Sequence, residues 1–124
     1  PGGAARGAAD ALVIKPMTAG GLTAGRAILD LAAEAGLAAF VTTTIDFGPG
    51  IAAALALAHA AARAGGDFAR HCGLATADLL ASTLARDLPA ITDGAMHLPP
   101  GPGLGVALDQ EAMRRWESAP PGAV

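Results

Sequence analysis

The stretch Asp10-Ala11-Leu12-Val13-Ile14-Lys15-Pro16 decides how this chain is read: a short apolar run ends in a lone lysine and is stopped at once by proline. Only Asp10 interrupts the apolar residues from Ala8 to Ile14, the pattern of a strand covered on both faces, as parallel strands are. Proline cannot donate to a sheet ladder, and it pushes the residue before it toward extended backbone. The strand therefore stops at Lys15 and aims that side chain outward from its end. Parallel α/β folds gather their chemistry at the carboxyl ends of strands, which makes Lys15 a candidate catalytic residue. The plainer reading is an amphipathic side chain whose ammonium reaches solvent from a strand end.

Downstream, Gly20-Gly21 opens onto a helix predicted from about Leu22 to Ala35, with Ile28, Leu31, Ala32 and Ala35 as its core stripe and Gly36 as a left-handed stop. A second unit begins at Ala39-Phe40-Val41-Thr42-Thr43-Thr44, rich in β-branched residues. Its helix is predicted from near Pro49 or Gly50 to about Ala64, with Ile51, Leu55, Ala58 and Ala62 on one face and Gly65-Gly66 at its end. The third unit pairs a strand around His71 to Leu74 with a helix capped by Thr76 and carrying Leu79, Leu80 and Leu84. This alternation predicts a parallel sheet. Three such units cannot close an eight-stranded barrel, which takes about 250 residues. They form either an open sheet or the last three units of a barrel whose earlier part lies outside this chain.

From Leu88 to Leu108 prolines and glycines break the pattern, which reads as irregular backbone with short β pieces at Ala90-Ile91 and Met96-His97-Leu98. A terminal helical turn or two is predicted from Asp109 to Trp116, with a frayed end from Ser118 to Val124.

Composition narrows the function classes. The 124 residues are 52% hydrophobic, largely through alanine, with three phenylalanines, one tryptophan and no tyrosine, which suits close helix-sheet layers better than a β-sandwich. A net charge of -3 without a basic cluster excludes an electrostatic footprint for nucleic acid. The single Cys72 allows no intramolecular disulfide and fits a reducing, cytoplasmic setting. The longest apolar stretch, Ile51 to Ala62, is interrupted by His59 and too short to span a bilayer, and without a basic-then-apolar stretch and cleavage site at the N-terminus export is not expected. The loop-like start Pro1-Gly2-Gly3-Ala4, without an initiating methionine, suggests a piece of a longer protein. His59, His71 and His97, with Cys72, do not make the ligand set of a zinc site, and none is assigned a function.

Taken in order, Asp10 to Pro16, Gly20-Gly21-Leu22, Val41-Thr42-Thr43-Thr44-Ile45-Asp46, Cys72-Gly73-Leu74-Ala75-Thr76 and Pro102-Gly103-Leu104-Gly105 resemble the C-terminal barrel of the enolase superfamily. Within it they are similar to the o-succinylbenzoate synthases of the muconate lactonizing enzyme subgroup. The resemblance runs from about Ala8 to Leu108. It implies a partial TIM-type (β/α) barrel: residues 1–88 hold strands six to eight with their helices, and 89–124 form a proline- and glycine-rich tail returning to a capping domain absent from the chain.

The resemblance also implies an activity: Mg²⁺-dependent dehydration of a succinyl-hydroxycyclohexadiene carboxylate through an enediolate, a step of menaquinone synthesis. Lys15 matches the sixth-strand lysine, one of two that face each other across the substrate. Its partner lysine and the acidic Mg²⁺ ligands belong to upstream strands, so this chain alone is expected to be inactive. Asp10 is no substitute ligand, because it precedes its strand at the amino end. Thr42 and Gly73 match positions that hold the succinyl carboxylate, through a hydroxyl or a backbone donor, with Thr44 and Asp46 beside them as substrate-binding candidates. Asp46 alternatively reads as an exposed turn carboxylate near a helix start. Racemisation of N-succinyl amino acids is the near alternative activity. Dipeptide epimerases usually carry Asp-x-Asp where this chain has Gly73-Leu74-Ala75, which counts against that branch. A noncatalytic half-barrel is the alternative from another class, with exposed apolar surface on the first strand.

Overall fold

The structure, a computed structural model, describes residues 7–64 and 71–118. The expected helix end at Gly65-Gly66, the opening Pro1-Gly2-Gly3-Ala4 and the end after Ser118 lie outside the described residues. Two strands, β1 (Ala11–Ile14) and β2 (Ala38–Val41), pair in parallel with Ile14 opposite Val41. Between them run a one-turn helix α1 (Pro16–Ala19) and the longer α2 (Leu22–Glu34), and α3 (Gly48–Ala64) follows β2. Gly36 follows α2 at φ 65°, the left-handed stop that its sequence predicts.

The core lies between the strands and α2 and α3. Ile14, Val41 and Leu74 meet Leu29 of α2 and Ala54, Leu55, Leu57, Ala58 and Ala61 of α3, with Leu12, Ala39 and Cys72 packed against them. Strand alternation therefore turns Leu12, Ile14, Ala39 and Val41 toward the helices, while Val13, 64% exposed, looks the other way. The opposite face is open at Val13 and half-buried at Phe40.

The expected stripe on α2 is rotated. Gly25, Leu29 and Ala32 are buried, whereas Leu31 and Ala35 are exposed. Gly25 explains the shift, because a Cβ there would stand 2.7 Å from Leu57 Cδ2, so α2 lays its glycine on α3. On α3 the expected Ile51, Leu55 and Ala58 are buried, but Ala62 is exposed.

The third unit departs most from expectation. Among the described residues its strand shows a single parallel bridge between Thr42 and Gly73, and the predicted helix from Thr76 is only a 3-10 turn at Ala77–Leu79. Thr76 makes no side-chain cap, and Leu79 is 67% exposed. Local side chains take the backbone elsewhere: Leu84 N donates to Ser82 Oγ (3.3 Å), Thr83 Oγ1 donates to Ala85 O (3.3 Å), and Leu84 turns left-handed at φ 55°. The chain then extends into β3 (Ala85–Arg86).

Two small antiparallel ladders complete the fold. The hairpin of β4 (Ile91–Thr92) and β5 (Ala95–Met96) turns through Asp93-Gly94, both at positive φ as a type I′ turn requires. Strand β6 (Ala107–Leu108) pairs with β3 and leads into α4 (Gln110–Glu117), whose first N–H groups donate to the capping carboxylate of Asp109. No described helix is long and apolar enough to cross a membrane.

Candidate functional site

Lys15 stands where β1 becomes α1. Its backbone is extended (φ -112°, ψ 112°), Pro16 fills the first position of α1, and Gly20 closes that turn left-handed at φ 98°. The Lys15 carbonyl accepts from Thr18 N (3.1 Å), Ala19 N (2.9 Å) and Thr18 Oγ1 (3.1 Å), so the backbone beneath the side chain is fixed. Among the described residues the ammonium makes no ion pair, and the side chain is half-buried.

Continuing the β1–β2 register by one residue sets Lys15 opposite Thr42, and the isolated bridge sets Thr42 opposite Gly73. Thr42 N donates to Ile14 O (2.9 Å). The three predicted residues thus form one row across neighbouring strand ends, in step with exposed Val13 on the face away from the helices. Within that row the Thr42 hydroxyl is buried and has no hydrogen-bond partner. A buried hydroxyl without a partner carries a desolvation cost of about 1 to 3 kcal/mol, which a ligand able to bond it removes.

Gly73 differs from expectation in how it can act. Its N–H already donates to Val41 O (3.0 Å) and its carbonyl accepts from Thr43 N (3.0 Å), so it is not an idle donor for a carboxylate. What Gly73 supplies is room: a Cβ there would meet Thr42 Cγ2 at 3.0 Å.

Thr44 is exposed, and its N–H donates to Asp46 Oδ1 (3.3 Å). Asp46 is not the exposed turn carboxylate of the alternative reading, since only 2% of its surface is accessible. The turn between them holds Ile45 at φ 63°, a strained conformation for a β-branched residue. Gly50 makes space for the carboxylate, because a Cβ at that position would stand 2.7 Å from Asp46 Cβ. Asp46 therefore sits beside the first turn of α3, where the helix dipole favours an anion. A cleft of about 340 Å³ separates Asp46 and Gly50 from Pro16, Met17 and the Gly20-Gly21 pair.

Thr43 and Thr76 are neighbours that the candidate residues did not include. Thr43 is buried on the helix side of the strand, and its hydroxyl lies 2.8 Å from the Thr76 hydroxyl. The signal was available in the threonine triplet, whose middle member must face opposite to its neighbours.

No group of three or more His, Cys, Asp or Glu among the described residues could hold a metal ion. The residues present do not compose a Mg²⁺ site, and no step through a metal is derived from them.

The sequence profile of a family described as enolase C-terminal domain-like matches residues 3–112. Among curated proteins, muconate cycloisomerase 1 of Rhodococcus opacus is 37% identical over 113 residues, covering 91% of this chain and 29% of that protein. Chloromuconate cycloisomerase of Cupriavidus pinatubonensis is 32% identical over 115 residues, covering 92% and 30%. The chain thus spans under a third of the length of these relatives. Among solved structures, muconate lactonizing enzyme from Pseudomonas putida superposes with a TM-score of 0.77 at 28% identity over 90% of this chain and 30% of that one. A mandelate racemase/muconate lactonizing family protein from Azoarcus sp. EbN1 gives 0.76 at 26% identity over 95% and 33%.

Proposed function

This chain belongs to the enolase C-terminal domain-like family, and on that premise we propose that it supplies the sixth-to-eighth-strand sector of a carboxylate-processing site of the muconate lactonizing subgroup. In this reading the fold is the closing part of a TIM-type barrel, with residues 1–88 in the barrel and 89–124 directed toward a capping domain. The observation that carries the proposal is the row Lys15, Thr42, Gly73, with the unpartnered Thr42 hydroxyl at its centre.

The assigned reaction is the dehydration carried out by o-succinylbenzoate synthases. The C–H bond next to the ring carboxylate breaks as its proton passes to the partner lysine of an upstream strand, its electron pair enters an enediolate, and the pair then expels the neighbouring ring hydroxyl, which takes up that proton and leaves as water. Lys15 holds its ammonium over the developing negative charge, and the Thr42 hydroxyl donates to the distal succinyl carboxylate. Gly73 keeps that side of Thr42 open, while Asp46 fixes the turn that carries Thr44 against the substrate. Superfamily members generally use Mg²⁺, and in this reading its ligands, like the partner lysine, come from upstream strands. A cytoplasmic setting belongs to the same reading, supported by the single cysteine.

A second reading is favoured by the relatives that carry the name muconate cycloisomerase: closure of a muconate-type diacid to a lactone at the same lysine. The experiment is a side-by-side rate measurement on the intact protein with the succinyl-hydroxycyclohexadiene carboxylate, cis,cis-muconate and an N-succinyl amino acid. Dehydration is expected to dominate. Dominant lactonization or racemisation transfers the assignment to that activity, and no turnover of any of the three rejects the enzymatic reading.

A further inference from the structure

Among the described residues, the segment bearing Gly73 pairs with β2 and its extension through one isolated bridge, with Gly73 N to Val41 O at 3.0 Å and Thr43 N to Gly73 O at 3.0 Å. A side-chain link reinforces it. Thr43 Oγ1 lies 2.8 Å from Thr76 Oγ1 and 3.4 Å from Gly73 O, and Thr43 is 95% buried by its 5% exposure. Thr76 in turn begins the 3-10 turn Ala77–Leu79, and its N–H closes back onto Leu74 O (2.9 Å). The Thr43 hydroxyl therefore bridges Gly73 and Thr76, tying both ends of the 73–76 segment to one residue just beyond β2.

We propose that Thr43 and Thr76 form a hydroxyl clasp that holds the Gly73 segment in register beside Thr42, and that both are positioning residues for the ligand site. Neither lies in the row that faces the substrate. Thr43 points to the helix side, so its effect on a ligand passes through Gly73 and Thr42. A part-buried hydroxyl pair suits this task because its worth depends on direction. Valine fills the same volume as threonine but supplies no donor or acceptor, and the remaining hydroxyl loses its partner. This inference rests on the carboxylate-site reading for its functional arm and on the geometry alone for its structural arm.

The test uses Thr43→Val, Thr76→Val, the double variant, Thr43→Ser and Thr76→Ser in the intact protein. Amide hydrogen exchange is followed at Gly73 and Thr43, with Thr42, whose N–H bonds to Ile14 across the other strand pair, as internal control. Each valine variant is expected to speed exchange at Gly73 and Thr43 by about tenfold, the counterpart of one buried hydrogen bond. Thr42 should be unchanged, the double variant should add little to either single one, and the serine variants should stay close to the parent. On the substrate turned over by the parent, KM should rise about tenfold with kcat within about twofold in the valine variants, and serine should restore it. Unchanged exchange in both valine variants overturns the clasp. Faster exchange with unaltered KM overturns the positioning role. If the parent turns over none of the three carboxylates named above, titration with o-succinylbenzoate replaces KM. Absence of binding by the parent then rejects the carboxylate reading, while exchange still decides the clasp.

Discussion

Thr42 and Gly73 face each other across a parallel bridge so closely that a methyl group on the glycine would approach the threonine Cγ2 to 3.0 Å. Gly73→Ala is expected to destabilise the protein by about 1 to 3 kcal/mol through this overpacking. Adding Thr42→Ser removes Cγ2 while keeping the hydroxyl, and should recover most of the loss. Urea unfolding of the single and double variants measures both effects, and failure of the second change to rescue the first refutes the contact as the cause.

Thr42→Val separates stability from binding. Removing a buried, unpartnered hydroxyl should leave stability unchanged or raise it by about 1 kcal/mol, while affinity for a dicarboxylate falls by about 1 to 3 kcal/mol. The opposed signs distinguish a ligand-bonding hydroxyl from a structural one. Calorimetric titration and denaturation of the same sample supply the two measurements.

Lys15→Ala removes the ammonium without touching the carbonyl that anchors α1. Turnover should fall by about 10²- to 10⁴-fold while the circular dichroism spectrum and unfolding midpoint stay near the parent values. Near-parental turnover excludes Lys15 from the chemistry.

Ile45→Gly relieves a β-branched residue held at φ 63° and half-exposed. The gain in the folded state exceeds the entropy that glycine adds to the unfolded chain, for a net stabilisation of about 1 kcal/mol. The urea midpoint should rise at constant slope. A lower midpoint shows that the side chain contributes more than its conformation costs.

Asp109 links helix α4 to acid. Its carboxylate accepts from Ala112 N and Glu111 N and lies 3.4 Å from Arg86 Nη2, contacts led by the Ala112 bond that hold its pKa below the ordinary carboxylate value. The folded pKa is depressed, so the cap's contribution is present above the unfolded pKa and is lost as pH falls through the folded one. The Ala112 amide resonance should titrate in that acidic range. In Asp109→Asn, which still caps the helix, the titration should disappear.

Periodicity and punctuation made the first two units legible. Pro16 and Gly36 mark their boundaries in the chain exactly as chemistry demands of a residue without an N–H and one free to turn left-handed, so local rules sufficed there. Of the expected α2 stripe, Ala32 is buried and Ile28 packs against the core, but Leu31 and Ala35 are exposed, because the contact with Leu57 is made at Gly25, which has no side chain to enter an apolar pattern. The third helix failed for a different reason. Thr76, Ser82 and Thr83 each hold a hydroxyl that another residue or the local backbone claims, and apolar spacing at Leu79, Leu80 and Leu84 cannot reveal that competition. The place of Lys15 at the end of β1 was legible from Pro16. The burial of Asp46 was not, since it depends on Gly50, four residues on, leaving a gap.

The triple acceptance at the Lys15 carbonyl has a thermodynamic consequence. With the main chain already immobilised, ordering the ammonium costs only the rotamer freedom of its four-carbon stem, at most about 2 kcal/mol. A single charge-assisted hydrogen bond, worth about 1.5 to 3 kcal/mol, offsets that cost. One such bond is therefore enough to order the lysine side chain at little net cost.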